Sequence, residues 1–260
     1  MSAEPLVRYE RDGHVATITY NRPEKLNAIN APLRRDLNAA WEQLRDDEDA
    51  WVAIVTGAGR AFCVGADLHD GAGAAGTWPG SFWEIPTINS FESGMEIWKP
   101  TIAAVNGYCL GYGLTLVSAC DFVIAADDAQ FGMPEVRLGS PTIVGAMRLP
   151  GRIGMQAALE LLLTGDRIDA TRAHVIGLAG WVVPRAELLV AARRLADRLC
   201  QGAPLAVRAV KEMAHRGQSL PWTDAVRMGE AMRRVVLATE DAAEGMAAAR
   251  EGRPPVWKGR

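Results

Sequence analysis

The sequence predicts an α/β fold followed by a helical C-terminal region, and three observations carry that prediction. Short apolar strands alternate with helical periodicity in the first third of the chain. Continuous apolar runs that end in glycine or a polar residue recur further on, as buried strands of a parallel sheet do. From about residue 186 the texture changes to long helical patterns.

Residues 14–20 (HVATITY) read as a β-branched strand. In residues 30–49 (NAPLRRDLNAAWEQLRDDED), Asn30 is a capping residue and Pro32 sits in the first turn. Leu33, Leu37, Trp41 and Leu44 then share one face, which makes an amphipathic helix. WVAIVTG at 51–57, TIAAVNG at 101–107 and FVIAA at 122–126 are the buried strands. Residues 71–81 (GAGAAGTWPGS) are too rich in Gly and Ala, with Pro79, to be anything but a loop, and they are a candidate lid. ELLVAARRLADRLC at 187–200 opens the helical part, and Trp222, Val226, Met232 and Val236 recur at helical spacing beyond it. The organisation expected is therefore an α/β core over 1–185 and a helical region over 186–260, with no repeat of fixed period in residue identity.

Composition narrows the function classes. With 260 residues, 49% hydrophobic and 23% charged, the chain can bury a large core. The 28 basic and 31 acidic residues are scattered and net to −3, so no basic stripe marks a nucleic-acid partner. No segment approaches the roughly 20 apolar residues of a membrane span, and the N-terminus has no run that would make a signal peptide, so a cytoplasmic protein without a membrane partner is expected. Cys63, Cys109, Cys120 and Cys200 lack both CxxC spacing and neighbouring histidines, and are expected as free thiols with no metal.

Residues 71–76 (GAGAAG) satisfy GxGxxG literally but not in context. The dinucleotide fingerprint needs a strand directly before and a helix directly after, because the helix N-terminus receives the pyrophosphate. Asp67, Leu68, His69 and Asp70 precede these glycines and Thr77, Trp78, Pro79 and Gly80 follow, so no nicotinamide or flavin cofactor is expected.

Three other glycine-bearing stretches carry chemistry: RAFCVGADL at 60–68, NGYCLGYGLTL at 106–116 and AQFGMPEVRLG at 129–139. In the first, Gly57, Gly59 and Gly65 turn the chain so that Ala66 presents an amide. In the second, Gly107, Gly111 and Gly113 precede a helical run, which puts Tyr112 at a helix N-terminus where amides are free. Two such amides aimed at one oxygen make an oxyanion hole, in which a single donor is worth about 3 to 4 kcal/mol in the transition state.

With NRPEKLNAI, ACDFVIAA and LTGDRIDA, these stretches resemble the successive signatures of the crotonase, or enoyl-CoA hydratase/isomerase, superfamily over about residues 7–250. The resemblance implies a crotonase-like spiral of ββα turns with a helical C-terminal trimerisation region, and a homotrimer or hexamer. It implies an acyl-CoA thioester substrate and no separate cofactor. Carried over by position, Ala66 and Tyr112 supply the two carbonyl donors, Tyr112 standing where the family usually has glycine. Lys25, Leu26, Ala28, Asp67 and Leu68, with Ala66, fall where the family contacts the nucleotide.

Family hydratases use two glutamates around one water. Here the PE motif supplies Glu135 beside Phe131, Met133 and Val136, apolar neighbours expected to desolvate it and raise its pKa. The other position holds Thr115, whose hydroxyl can orient a water but cannot share a proton load. One base beside a stabilised enolate suffices to move a proton from C2 to C4, so 3-enoyl to 2-enoyl isomerisation with Glu135 as single acid/base is the leading expectation. Hydration or dehydration, with Thr115 or a carboxylate such as Glu84, Glu92 or Glu96 standing in, is the alternative. A non-catalytic acyl-CoA binding protein is the reading from another class. Ala249 and Gly252 stand where an aromatic residue and a lysine commonly help hold CoA, so that grip on CoA is either missing here or made by other residues.

Overall fold

The structure, a computed structural model, describes residues 4–69 and 90–260. The GAGAAG stretch, Asp70 and Glu84 lie outside the described residues.

The chain opens with the strands β1 (Val7–Asp12) and β2 (Val15–Tyr20), an antiparallel pair around a tight turn at Gly13. Helix α1 (Ala31–Asp46) follows, with Asn30 Oδ1 accepting from Leu33 N at 3.0 Å as its cap. Its apolar stripe, Leu33, Leu37, Trp41 and Leu44, is fully buried, as the spacing predicts.

Strand pairs then alternate between two sheets. β3 (Val52–Gly57) leads into β4 (Ala61–Cys63), β5 (Thr101–Val105) into β6 (Tyr108–Leu110), and β7 (Phe122–Ala126) into β8 (Gln130–Gly132). The first member of each pair joins a sheet of order β1-β2-β3-β5-β7-β10, closed at its far edge by β10 (Trp181–Val183). The second joins β4-β6-β8-β9, where β9 (Arg167–Asp169) is antiparallel to β8. Helix α2 (Tyr112–Ala119) follows the β5–β6 pair, and α3 (Val144–Ile153) and α4 (Met155–Thr164) follow the β7–β8 pair. The result is a spiral of ββα turns, each turn stacked on the last through parallel pairing.

The six residues of β3 and the five of β5 are buried throughout, because helices or the other sheet cover both faces of these strands. Helix α5 (Ala170–Val175) packs at the β9 and β10 edges, and α6 (Leu188–Leu199) lies across β2, β3, β5 and β7. The chain ends in α7 (Pro204–Arg216), α8 (Trp222–Leu237) and α9 (Glu240–Glu251). On α8, Trp222 is 82% exposed and Val226 47%, while Met232 and Val236 are only half-buried, so none of the predicted apolar spacing is core. Cys63, Cys109 and Cys120 are buried free thiols and Cys200 is half-buried.

Candidate active site

Glycines bring three loop segments together at the mouth of the four-stranded sheet. After β4 the chain forms a parallel bridge between Ala66 and Ile29, in which Ile29 N donates to Gly65 O at 2.8 Å and Asp67 N donates to Ile29 O at 2.9 Å. Successive amides of an extended segment point to opposite sides, so the Ala66 NH is turned away from Ile29. On that other side Gly65, at φ 100°, abuts the entrance to α2. A Cβ on Gly65 would stand 3.3 Å from Leu110 O and 3.6 Å from Tyr112 N. Only glycine permits that approach.

Tyr112 is the first residue of α2, where amides have no partner inside the helix. Gly111 at φ 54° serves as N-cap without a side chain, and its own amide donates to Gly132 O at 2.9 Å, which ties α2 to β8. Among the described residues neither the Ala66 nor the Tyr112 amide donates to a backbone acceptor. The two amides thus flank one junction, an arrangement that can receive a developing negative charge.

Glu135 enters the same junction from a 3-10 turn, Pro134–Leu138, that follows β8. A Cβ on Gly111 would lie 3.0 Å from Glu135 Oε1, so the carboxylate reaches the glycine that precedes the Tyr112 donor. Glu135 Oε2 is shielded from solvent and has no hydrogen-bond partner among the described residues. Burial pushes the Glu135 carboxyl above the ordinary glutamate range, against a smaller opposing hydrogen bond from its own backbone. Of the apolar neighbours expected to desolvate it, Phe131 and Met133 are buried, whereas Val136 is 40% exposed and faces out.

Thr115 sits one turn into α2, its amide donating to Gly111 O at 3.0 Å, and is 4% exposed. Its hydroxyl meets α3: a Cβ on Gly145 would stand 3.2 Å from Thr115 Oγ1, 2.9 Å from Thr142 Oγ1 and 2.6 Å from Met133 Cε. Thr115 therefore occupies the α2–α3 contact. Glu92, one of the carboxylates considered as a stand-in, is 3% exposed and accepts from the Tyr112 phenol at 2.7 Å and from the Ser90 hydroxyl. Glu96 is engaged with Arg216 at the surface.

The two stretches expected to meet a nucleotide are brought side by side. The Ile29–Ala66 bridge joins them, and Arg22 Nη1 donates both to Ala28 O and to Asp67 Oδ2. Leu26 and Asn27 adopt left-handed backbone, held by the buried Asn27 amide, which donates to Ala58 O and Ala61 O. This leaves Lys25 exposed, Leu26 half-exposed and Ala28 buried, while Leu68 is 66% exposed beside them. At the C-terminus Gly252 caps α9 in left-handed backbone, and the tail folds onto its own chain through Arg253 to Glu244, Lys258 to Glu240 and Trp257 Nε1 to Gln201 O. His69 is exposed, and His174 and His215 bond to Ala179 O and Asp121, away from the junction.

The sequence pointed to Ala66, Tyr112, Glu135 and Thr115 but not to Arg22, and it offered Glu92 only as a stand-in carboxylate, not as the partner of Tyr112. Arg22 lies within the NRPEKLNAI motif, yet its reach to Asp67 depends on a fold in three dimensions. Glu92 was only one of several glutamates in a stretch without pattern, and the tyrosine inside GYG was its one signal.

Residues 10–260 match the family described as enoyl-CoA hydratase/isomerase. A probable enoyl-CoA hydratase of Mycobacterium tuberculosis is 38% identical over 255 residues, covering 96% of this chain and 97% of the relative. A carnitinyl-CoA dehydratase of Proteus mirabilis is 39% identical over 257 residues, covering 95% and 96%. The crystal structure of an enoyl-CoA hydratase from Mycobacterium tuberculosis H37Rv superposes with a TM-score of 0.90 at 37% identity, covering 99% of this chain and all of that one.

Proposed function

The chain belongs to the enoyl-CoA hydratase/isomerase family of enzymes acting on acyl-CoA, and on that premise we propose that it moves a proton through a thioester enolate, favouring 3-enoyl to 2-enoyl isomerisation. In this reading the Ala66 and Tyr112 amides bind the thioester oxygen. The Glu135 carboxylate takes a proton from C2, the electron pair passes to that oxygen, and the resulting Glu135 acid returns the proton at C4 as the double bond shifts to C2–C3. Nothing is consumed and no separate cofactor takes part. Lys25, Leu26, Ala28, Asp67 and Leu68 flank the CoA moiety.

The observation that carries the proposal is the state of Glu135. Among the described residues it is the carboxylate at the Gly65–Gly111 junction, partly desolvated and with one oxygen lacking a partner. Glu92 is drawn onto Tyr112, and Thr115 fills the position one turn into α2. A single acid/base suits proton transfer better than the addition of water across a double bond.

Hydration or dehydration is the second reading, favoured by the names of the relatives, a hydratase and a dehydratase. Purified protein offered 3-enoyl-CoA and 2-enoyl-CoA of one chain length distinguishes them. The expected result is double-bond migration in which deuterium placed at C2 of the 3-enoyl substrate appears at C4 of the product. Water addition outpacing migration would overturn isomerisation, an unimpaired Glu135→Gln variant would overturn both readings, and binding of CoA thioesters without turnover of either would favour a binding protein.

A homotrimer or hexamer built on the helical C-terminal region is part of the proposal, supported by the unburied apolar face of α8. So is a cytoplasmic setting. Among the described residues no helix is long and apolar enough to cross a membrane.

A further inference from the structure

The first turn of α2 is tied down by the Gly111 amide on Gly132 O and by the buried Leu114, neither of which grips residue 112 itself. Gly111, the N-cap, brings no side chain, and Gly113 lies so close to β4 that a Cβ there would stand 2.5 Å from Cys63 O. Between these two glycines the ring of Tyr112 is the one side chain, so what fixes that ring acts directly on the amide that opens the helix.

The ring is held on two sides. Its hydroxyl donates to Glu92 Oε1 at 2.7 Å, and the Arg34 guanidinium of α1 lies 4.9 Å from the ring centroid. Glu92 is fixed in turn: it is 3% exposed, its Oε1 also receives the Ser90 hydroxyl, and Arg148 Nε of α3 donates to its backbone oxygen at 2.9 Å. Burial, and then the neighbouring Glu92 charge, push the Tyr112 phenol well above its ordinary pKa, so it remains a protonated donor at any working pH.

We propose that Glu92 is a positioning residue that acts through the Tyr112 phenol to set the aim of the Tyr112 backbone amide at the thioester oxygen. The inference rests on the reading of Ala66 and Tyr112 as the carbonyl donors. An amide held in this way strengthens its bond as negative charge develops on the oxygen, so loss of the anchor weakens the transition state more than ground-state binding.

The test compares the wild-type protein with Glu92→Leu, which removes the acceptor, with Tyr112→Phe and with the double variant. The probe is saturated butyryl-CoA carrying carbon-13 at the thioester carbonyl, read by difference infrared spectroscopy. Wild type is expected to lower the carbonyl stretching frequency on binding, and both single variants to return it toward the value in solution. In turnover, kcat should fall about tenfold, a fraction of the loss on removing a whole oxyanion donor, with KM little changed. The double variant should be no worse than the poorer single one, because both changes cut one connection.

Folded variants that keep the wild-type carbonyl shift, or losses that multiply in the double variant, overturn the inference. If Glu92→Leu does not fold, Tyr112→Phe alone decides, since it keeps the ring and the carboxylate. Absence of any carbonyl shift in wild type would instead remove the donor reading itself.

Discussion

Arg22 and Asp67 form a largely buried ion pair that clamps the loop before α1 to the loop after β4, and Arg22 Nη1 also donates to Ala28 O. Their side chains are 11% and 6% exposed. The Arg22 partners Ala28 and Asp67 adjoin Ile29 and Ala66, whose backbones bridge, so the pair bears on the orientation of the Ala66 amide.

Replacing Arg22 with methionine should therefore damage both stability and catalysis. Removing one partner of a buried pair costs about 3 kcal/mol or more, which urea unfolding would measure. The loop carrying Lys25 and Leu26 loses its tether to the 65–68 segment, so KM for acyl-CoA should rise as kcat falls. A lysine replacement should recover only part of the loss, because a single ammonium reproduces the fork geometry of a guanidinium poorly.

The pH dependence should follow Glu135. As a base it must be ionised, and burial holds its pKa above the ordinary 4.5. The acidic limb of kcat/KM should accordingly bend at a pH above the ordinary glutamate value. Stability runs the other way: a carboxyl whose folded pKa is raised contributes stability below its unfolded pKa, and this is lost as pH rises through the folded pKa. Glu135→Gln should abolish the acidic limb, flatten that part of the stability profile and lower turnover by about 100-fold to 10,000-fold, without loss of thermal stability.

The fold was legible because its strands are buried on both faces and its first helix shows a clean stripe from Leu33 to Leu44. The close approach of the Ala66 and Tyr112 amides was legible because glycines at 65 and 111 mark places where backbone must approach backbone. Other features were not, for physical reasons. Val136 sits in an apolar sequence context, yet the 3-10 turn points it at solvent. The Glu92–Tyr112 bond spans 20 residues and joins a turn without sequence period to the first residue of α2. The exposed face of α8 looks like any amphipathic helix until the core is found elsewhere.

Gly111→Ala is expected to be far more harmful than an ordinary glycine replacement. The residue holds φ 54° and ψ −121°, backbone that a side chain strains, at about 1 to 3 kcal/mol. The new methyl would also stand 3.0 Å from Glu135 Oε1 and displace the carboxylate from the junction. Thermal melting should register the strain, and turnover should fall toward that of Glu135→Gln. Gly139→Ala is the control: at φ 74° it carries the milder strain of left-handed backbone with nothing within 4 Å, so it should cost some stability while largely sparing turnover.

Thr115→Glu tests whether the missing second carboxylate is what biases the reaction. Position 115 lies one turn into α2 on the same helix as the Tyr112 donor, and its hydroxyl faces Gly145, Thr142 and Met133. A glutamate there enters a site that is 4% exposed, so the protein should lose stability, and the new carboxyl should titrate above its ordinary range for want of solvent. With two carboxyls beside one thioester, one can hold and deprotonate a water while the other delivers a proton to C2. The expected outcome is water addition to 2-enoyl-CoA rising relative to double-bond migration, measured as the ratio of hydroxyacyl to isomerised product. A ratio equal to that of wild type in a folded variant would show that Thr115 does not govern the choice, and would move the search for the water's partner to the segment before Glu92.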